Sequence, residues 1–151
     1  MTSTCMLRFY LCSGSGCAAC SAARRAAATA AAWSASISSG SFRTEGMIVV
    51  PCSMKTLAGI AQGITGNLIE RAADVTLKEG RRLVLVPRET PLNKIHLKNM
   101  LAAADAGARI FPAMPAFYQK PRTIADLADF VAARILALFD IETKLFEPWQ
   151  K

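Results

Sequence analysis

The sequence predicts an α/β fold with a doubly wound parallel sheet, and two observations carry that prediction. Short apolar runs that end at proline, Met47–Pro51 and Leu83–Pro87, have the composition of strands buried on both faces. Segments with helical spacing follow each run, and a third strand is predicted at Arg109–Phe111. Alternating strands and helices form right-handed βαβ units on a parallel sheet, whose ligands bind beyond the carboxyl ends of the strands.

Three helices are predicted between and after these strands. A turn at residues 52–56 precedes a helix that begins at Leu57, a second helix runs from about Asn67 to Glu79, and a third runs from Asn93 to Ala106. Gly107 is a typical stop signal for the third. The residues expected to face inward on the second and third helices are apolar and three or four positions apart: Leu68, Ile69, Ala72 and Val75, then Leu97, Met100, Leu101 and Ala104.

A proline-rich connection and a last helix complete the chain. Three prolines hold residues 112–121 in an extended, non-helical conformation. Thr123 with Asp126 three residues later resembles a capping box. The helix that follows carries apolar residues at helical spacing: Ile124, Leu127, Val131, Ile135 and Leu138.

The composition of the chain changes along its length. With 151 residues, 52% hydrophobic and 19% charged, the chain allows one packed domain. Of the net charge of +7, residues 1–44 hold four arginines and no acidic residue, whereas residues 45–151 hold 14 basic and 11 acidic side chains. No apolar run reaches 18 residues, so no membrane span is predicted. A nucleic-acid partner is not predicted either, because basic and aromatic residues do not interleave.

Residues 1–33 form an atypical leader rich in Ala, Arg, Ser and Cys. Four of the five cysteines lie in the first 20 residues, and Cys17–Cys20 is a CxxC motif. A zinc site needs a second ligand pair, and a redox site needs a preceding strand, which the leader does not suggest; incidental cysteines are favoured and no metal is predicted. The leader is interpreted as a transit peptide or as a start-site or reading-frame artefact. A cytoplasmic location is expected, with mitochondria as the alternative if the leader is a transit peptide.

Two loops at predicted strand ends contain residues suited to chemistry. Residues Ser53–Thr56 join a strand to a helix N-terminus, where unpaired N–H groups, two hydroxyls and an ammonium suit a phosphate monoester. An equally weighted interpretation is that Ser53 or Thr56 only caps the helix. Arg88 and Glu89 follow the next strand, either facing a ligand or forming a solvated charge pair.

The remaining polar and aromatic candidates, taken one by one, have structural interpretations. The spacing of Arg71, Asp74 and Lys78 predicts a surface ion-pair ladder. Arg134, one turn after Phe130, is expected to extend its charged end to solvent. His96 is interpreted as a structural histidine. Phe117–Tyr118 and Trp149 are interpreted as packed or docking aromatics.

Taken together, several separated motifs closely resemble the flavin prenyltransferase family, which is UbiX-like and includes subunits accompanying phenolic-acid decarboxylases. The resemblance covers roughly residues 34–151 and predicts one flavin prenyltransferase-like domain there, the C-terminal part of the fold. The motifs lie at Ser38–Phe42, Gly46–Met47, Pro51–Thr56, Arg71–Val75, Leu77–Glu79, Arg88–Leu92, Pro115–Tyr118 and Arg134.

The resemblance implies a flavodoxin-like, doubly wound domain of three αβα layers that assembles into homo-oligomers, commonly dodecamers. Family members begin with a strand, a Gly-Ala-Ser-Gly loop and a helix. Here Ser13–Gly16 is only weakly similar to that loop, so the N-terminal strands are expected to be missing or atypical.

The implied enzyme is a transferase. It moves the dimethylallyl group of dimethylallyl phosphate to N5 of reduced FMN and closes the new ring onto C6, without a metal. The product, prenylated FMN, serves a partner UbiD-type decarboxylase. The alternative is a truncated, inactive member that acts only as an oligomer or binding subunit.

The resemblance also implies roles for individual residues. Glu89 corresponds to a proton-transfer group, and Trp149 to the aromatic residue near the isoprenoid. Ser53, Met54, Lys55, Thr56 and Arg88 correspond to the FMN contacts. The dimethylallyl phosphate contacts correspond to Ser39, Gly40, Ser41, Lys78, Tyr118 and Arg134.

Overall fold

The computed structural model describes residues 9–11 and 43–143, and the chain divides into two compact units between Phe111 and Pro112. Within the described residues, the first unit contains a parallel sheet with strands in chain order. The strands are β1 (Phe9–Leu11), β2 (Gly46–Cys52), β3 (Arg82–Pro87) and β4 (Ala108–Ile110). The three predicted strands are confirmed to within one residue at each end.

Strand β1 lies in the leader, where the sequence suggested no strand, so that expectation was wrong. Its three residues pair with β2 in the register Tyr10↔Val49. Three apolar residues carry too little periodicity to mark a strand by themselves, and pairing with a neighbouring strand makes this one. The CxxC motif that follows it lies outside the described residues.

The central strands hold the core of the first unit. Val49 of β2 pairs with Leu85 of β3, and Leu85 pairs with Ile110 of β4. A register shift between Val49 and Cys52 gives β2 one extra residue there. Residues Leu83 to Pro87 are buried on both faces of β3, as the unbroken apolar run predicts.

Four helices follow, each starting at a side-chain cap. They are α1 (Met54–Ala61), α2 (Leu68–Lys78), α3 (Lys94–Asp105) and α4 (Ile124–Ala137), with caps Ser53, Asn67, Asn93 and Thr123. Helix α1 begins three residues before the predicted start, because Ser53 caps it directly after β2. Gly107, with φ +104°, follows α3 as expected of a helix stop.

Helix α1 packs against both α2 and α3, so these three helices lie together on one face of the sheet. Leu57 and Ile60 of α1 join Val49, Leu83 and Leu85 in a continuous apolar core. The burial expected for α2 is confirmed at Ala72 and Val75, Ile69 is half-buried, and Leu68 is exposed.

The inward face predicted for α3 was wrong. Leu97, Leu101 and Ala104 are exposed, Met100 is half-buried, and Ala103 is the buried residue of the helix. Helix α3 contacts α1 and the short strand β4, so little sheet surface is available to cover its apolar stripe.

The second unit contains a 3-10 helix at Phe117–Gln119 and helix α4. The predicted capping box is present: the Thr123 side chain accepts from the N–H of Asp126, whose carboxylate accepts from the N–H of Thr123 at 3.0 Å. The Thr123 hydroxyl and the N–H groups of Arg122 and Thr123 hold the pKa of Asp126 below its ordinary 3.8.

The apolar spacing predicted for α4 is only partly confirmed. Ile135 is buried, together with Phe130 and Ala133, but Ile124 is 86% exposed at the first position of the helix. No helix in the described part of the chain is both long and apolar enough to cross a bilayer.

Candidate functional site

Two loops meet at the carboxyl edge of the sheet. Ser53–Thr56 follow β2, and Arg88–Glu89 follow β3, which is its parallel neighbour. The carboxyl ends of neighbouring parallel strands lie side by side, so the structure brings these two predicted segments to one place.

The loop after β2 is also a helix cap. The Ser53 hydroxyl oxygen accepts from the N–H of Thr56 at 3.1 Å, and the hydroxyl donates to Oγ1 of Thr56 at 3.0 Å. The capping interpretation of Ser53 is therefore confirmed. It leaves room for an anion, because the N–H groups of Met54 and Lys55, the first two helical residues, have no acceptor within the helix.

A buried cysteine anchors this loop to the core. Cys52 is 2% exposed, and its thiol donates to the carbonyl oxygen of Ser53 at 3.6 Å. Burial raises the pKa of the Cys52 thiol from 9.0 to about 12. The thiol therefore stays protonated at neutral pH and serves as packing rather than as a nucleophile.

The loop after β3 presents Arg88, Glu89 and Thr90 to solvent, and Thr90–Pro91 is a cis peptide. Together with exposed Lys55 on the neighbouring loop, Arg88 supplies a second cation at this edge. Two cations and a helix N-terminus form a donor set that suits a phosphate monoester. Glu89 adds a carboxylate that is accessible for proton transfer.

Lys78 lies at the opposite edge of the sheet. It ends α2, four residues before the start of β3, whereas Arg88 follows the end of that strand. Its ammonium pairs with Glu79 at 3.3 Å rather than extending the predicted ladder, which consists of the Arg71–Asp74 pair at 2.8 Å. A single chain therefore does not bring Lys78 to the loops at residues 53–56 and 88–89.

The second unit contains two other predicted residues, Tyr118 and Arg134. Tyr118 contacts Phe130 edge-to-face, with ring centroids 6.1 Å apart and planes at 84°. Arg134 follows Phe130 by one helical turn on α4 and is exposed. Phe117, interpreted from the sequence as a packed anchor, is 70% exposed, so that interpretation was wrong.

Four predicted site residues lie outside the described residues: Ser39, Gly40, Ser41 and Trp149. Within residues 9–11 and 43–143, no group of three or more His, Cys, Asp or Glu side chains is arranged to hold a metal. His96 is on α3, and its Nδ1 is buried with no hydrogen-bond partner among the described residues.

A family profile described as Flavoprotein matches residues 16–136. The chain belongs to the flavoprotein family. Its curated relatives include the flavin prenyltransferase UbiX of Halalkalibacterium halodurans, 60% identical over 117 residues that cover 78% of this chain and 57% of the relative. A probable UbiX-like flavin prenyltransferase of a Streptomyces species is 61% identical over 115 residues, covering 76% of this chain and 58% of that protein.

Solved structures agree with these relatives. A crystal structure of AnUbiX in complex with FMN and dimethylallyl pyrophosphate matches with a TM-score of 0.77 and 60% identity, over 79% of this chain and 63% of that one. A dodecameric FMN-dependent UbiX-like decarboxylase from Escherichia coli O157:H7 matches with a TM-score of 0.76 and 58% identity, over 79% and 64%.

These matches confirm the predicted resemblance to flavin prenyltransferases and the flavodoxin-like α/β fold class of this flavoprotein. The chain spans somewhat under three fifths of the length of the curated relatives described above.

Sequence reasoning missed two residues of this flavoprotein. Glu70 is 4% exposed, and its carboxylate accepts from the N–H of Gly66 at 2.9 Å. The spacing of Asn67 and Glu70 is a capping-box signal that identifies it. Phe130 contacts the ring of Tyr118, and no local pattern in the sequence indicates this pair.

Proposed function

We propose that this flavoprotein takes part in flavin prenyl transfer, moving a dimethylallyl group from dimethylallyl phosphate to reduced FMN to make prenylated FMN. The observation that carries the proposal is the 60% identical AnUbiX structure, which was solved with FMN and dimethylallyl pyrophosphate. The loops at the carboxyl edge of the sheet support it, because their donors suit a flavin phosphate.

The first unit supplies the proposed FMN contacts. Reduced FMN, when bound, supplies the electron-rich ring nitrogen to which the allylic carbon is transferred. The N–H groups of Met54 and Lys55 and the cations of Lys55 and Arg88 hold its phosphate, with Ser53 and Thr56 shaping the loop. Glu89 accepts or returns a proton beside Arg88.

The second unit supplies proposed contacts for the allylic substrate. Loss of phosphate from an allylic carbon builds negative charge on the leaving oxygens, which an arginine and a tyrosine hydroxyl stabilise. We assign these two groups to Arg134 on α4 and to Tyr118, whose ring contacts Phe130 of the same helix. A tyrosine ring also lies well beside a developing allylic cation.

The proposal is tested by incubating the purified chain with FMN, a reductant and either dimethylallyl phosphate or dimethylallyl pyrophosphate. We expect a flavin whose mass has increased by one dimethylallyl unit, with release of phosphate from dimethylallyl phosphate or of pyrophosphate from dimethylallyl pyrophosphate. A colourless, soluble oligomer that gives no prenylated flavin would support the alternative of an inactive binding subunit.

Arg134→Ala separates the two binding roles. We expect it to weaken dimethylallyl phosphate binding while FMN occupancy, measured by flavin absorbance of the purified protein, stays unchanged. Asp129→Ala on the same helix is the matched control for loss of a charge. Equal loss of both ligands in Arg134→Ala would contradict the role given to Arg134.

We further propose that the chain forms a homo-oligomer, since a similar solved structure is dodecameric, and that α3 contributes to the interface. Ile95, Leu97 and Leu101 are each more than half exposed on this helix, and a second copy would cover them. Light scattering tests this: Leu97→Gln with Leu101→Gln should lower the molecular mass, whereas Leu68→Gln on α2 should not. An unchanged mass would exclude this face.

The recipient of the product is proposed to be a UbiD-type decarboxylase. Decarboxylase purified without its cofactor should gain activity when it is mixed with the reaction products of this chain. The same mixture lacking dimethylallyl phosphate is the control, and activation in that control would contradict the assignment.

A further inference from the structure

We propose that Glu70 is a positioning residue for the phosphate site at the start of α1. The inference deepens the proposed function and rests on it, because the N–H groups of Met54 and Lys55 are the groups assigned to the FMN phosphate. Glu70 itself does not touch the phosphate in this proposal and acts through α1.

The first support is the close contact that Glu70 makes with α1. Its side chain is 4% exposed, although it is a carboxylate. A Cβ added at Gly59 of α1 would lie 2.9 Å from Cδ of Glu70, and one added at Gly66 would lie 3.2 Å from Oε2. At these distances a side chain would press on the carboxylate, so glycine lets the second turn of α1 rest directly on Glu70.

The second support is that the carboxylate is itself fixed. Its Oε2 accepts from the N–H of Gly66 at 2.9 Å, and the N–H of Glu70 donates to Oδ1 of Asn67 at 2.9 Å. Burying a carboxylate costs free energy, whereas an apolar side chain of similar size would fill the space without that cost. What the carboxylate adds is an acceptor for Gly66, and this bond holds in place the surface on which α1 rests.

The third support is the shortness of α1. The helix has eight residues, which make about two turns. Leu57 and Ile60 fix it against the core, and Gly59 fixes it on the side of α2. Lys55 lies one turn before Gly59 on the same face of the helix. A shift at the second turn therefore moves the first turn too, and hydrogen bonds from its free N–H groups depend on that geometry.

The ratio of FMN affinity to riboflavin affinity tests the proposal, because riboflavin has the same ring system without the phosphate. Glu70→Ala should lower this ratio about three- to tenfold, since hydrogen bonds to a charged group are weakened rather than lost. Glu70→Gln keeps the shape and an acceptor for Gly66, and should keep the ratio within about twofold of the unmodified chain. Val75→Ala, buried on the same helix, is the matched control for loss of stability and should leave the ratio unchanged.

Gly59→Ala reaches the same contact from α1. It should lower the ratio about three- to tenfold in the unmodified chain, but less than about twofold in a Glu70→Ala background, where the added methyl group has space. Equal losses in the two backgrounds would overturn the positioning role. A ratio that falls as much in Val75→Ala as in Glu70→Ala would overturn it as well.

A second measurement needs no ligand. The backbone amide chemical shifts of Met54 and Lys55 should move in Glu70→Ala and in Gly59→Ala, and should stay in place in Glu70→Gln and Val75→Ala. Shifts that do not move in Glu70→Ala and Gly59→Ala would overturn the positioning of α1.

The failure of the proposed function gives a different pattern. If the amide shifts move as expected while the unmodified chain binds FMN and riboflavin equally, Glu70 positions α1 and the assignment of the FMN phosphate to this loop is wrong.

Discussion

Helices α2 and α3 begin alike and end up in different environments. Asn67 accepts from the N–H of Glu70 at 2.9 Å, and Asn93 accepts from the N–H of His96 at 2.8 Å. The helices have 11 and 12 residues, and α2 follows α1 whereas α3 follows the loop after β3. Yet α2 buries five residues, whereas α3 buries only Ala103.

The difference comes from what each helix packs against. Helix α2 contacts β2, β3 and α1, whereas α3 contacts α1 and β4, a strand of three residues. The third residue of each helix differs as well. On α2 this residue is Glu70, whose carboxylate accepts from the N–H of Gly66 and lies against Gly59. On α3 it is His96, whose buried Nδ1 has no hydrogen-bond partner among the described residues. Caps and spacing decide that a helix forms, and its neighbours decide how much of it is buried.

The largest expected effect is a loss of folding stability on α2, measured against the same kind of substitution on α3. Val75→Ala should lower the free energy of unfolding by about 2 kcal/mol, because two buried carbon groups are lost and a cavity remains. Leu101→Ala, which is 63% exposed, should change it by less than about 0.5 kcal/mol in dilute solution. Urea unfolding measures both. Similar losses at the two positions would mean that α3 is covered in the folded chain.

The second prediction concerns the contact between α1 and α2. A Cβ added at Gly59 would lie 2.9 Å from Cδ of Glu70, so Gly59→Ala should destabilise the fold by roughly 1–2 kcal/mol despite its better helix propensity. In a Glu70→Ala background, the same change should stabilise the fold by up to about 1 kcal/mol. A double-mutant cycle in urea measures the coupling, and additive effects would show that the two residues do not touch.

The third prediction tests the feature that the helices share. Asn67→Ala and Asn93→Ala should each cost about 1 kcal/mol, because each removes one capping hydrogen bond. Asn→Asp at either position keeps an acceptor and serves as the control. A much larger loss at Asn67 would show that the loop held by Glu70 depends on the cap.

The smallest expected effect concerns α4. Its third residue, Asp126, is an exposed carboxylate, whereas the third residue of α2, Glu70, is buried. Because hydrogen bonds hold the pKa of Asp126 below 3.8, its stabilising effect is present above that pH and is lost as the pH falls through the lowered value. Urea midpoints of the unmodified chain and Asp126→Asn should therefore differ more at pH 6 than at about pH 2.5. A difference that is independent of pH would contradict the role of the ionised carboxylate.

Much of the fold was predictable because its signals are local. Strands β2 and β3 are unbroken apolar runs, and the capped starts of α2 and α4 contain the polar residues that bond there. Strand β1 was missed, because three apolar residues become a strand only through pairing with β2. The apolar stripe of α3 was detected correctly, but its direction was assigned to the core on spacing alone.

The candidate site divides in the same way. The loop at Ser53–Thr56 and the Arg88–Glu89 pair were predictable, because ligands of parallel sheets bind where strands end. The position of Lys78 at the other edge and the contact of Tyr118 with Phe130 were not predictable. They depend on sheet order and on residues that are separated along the chain.

The sequence by itself determined the fold class, the family and the starts of α2, α3 and α4, because apolar periodicity, capping residues and motifs are properties of neighbouring residues. Only the tertiary structure decided which apolar faces are covered and which polar residues meet. Those outcomes depend on sheet order and helix position, which bring distant residues into contact.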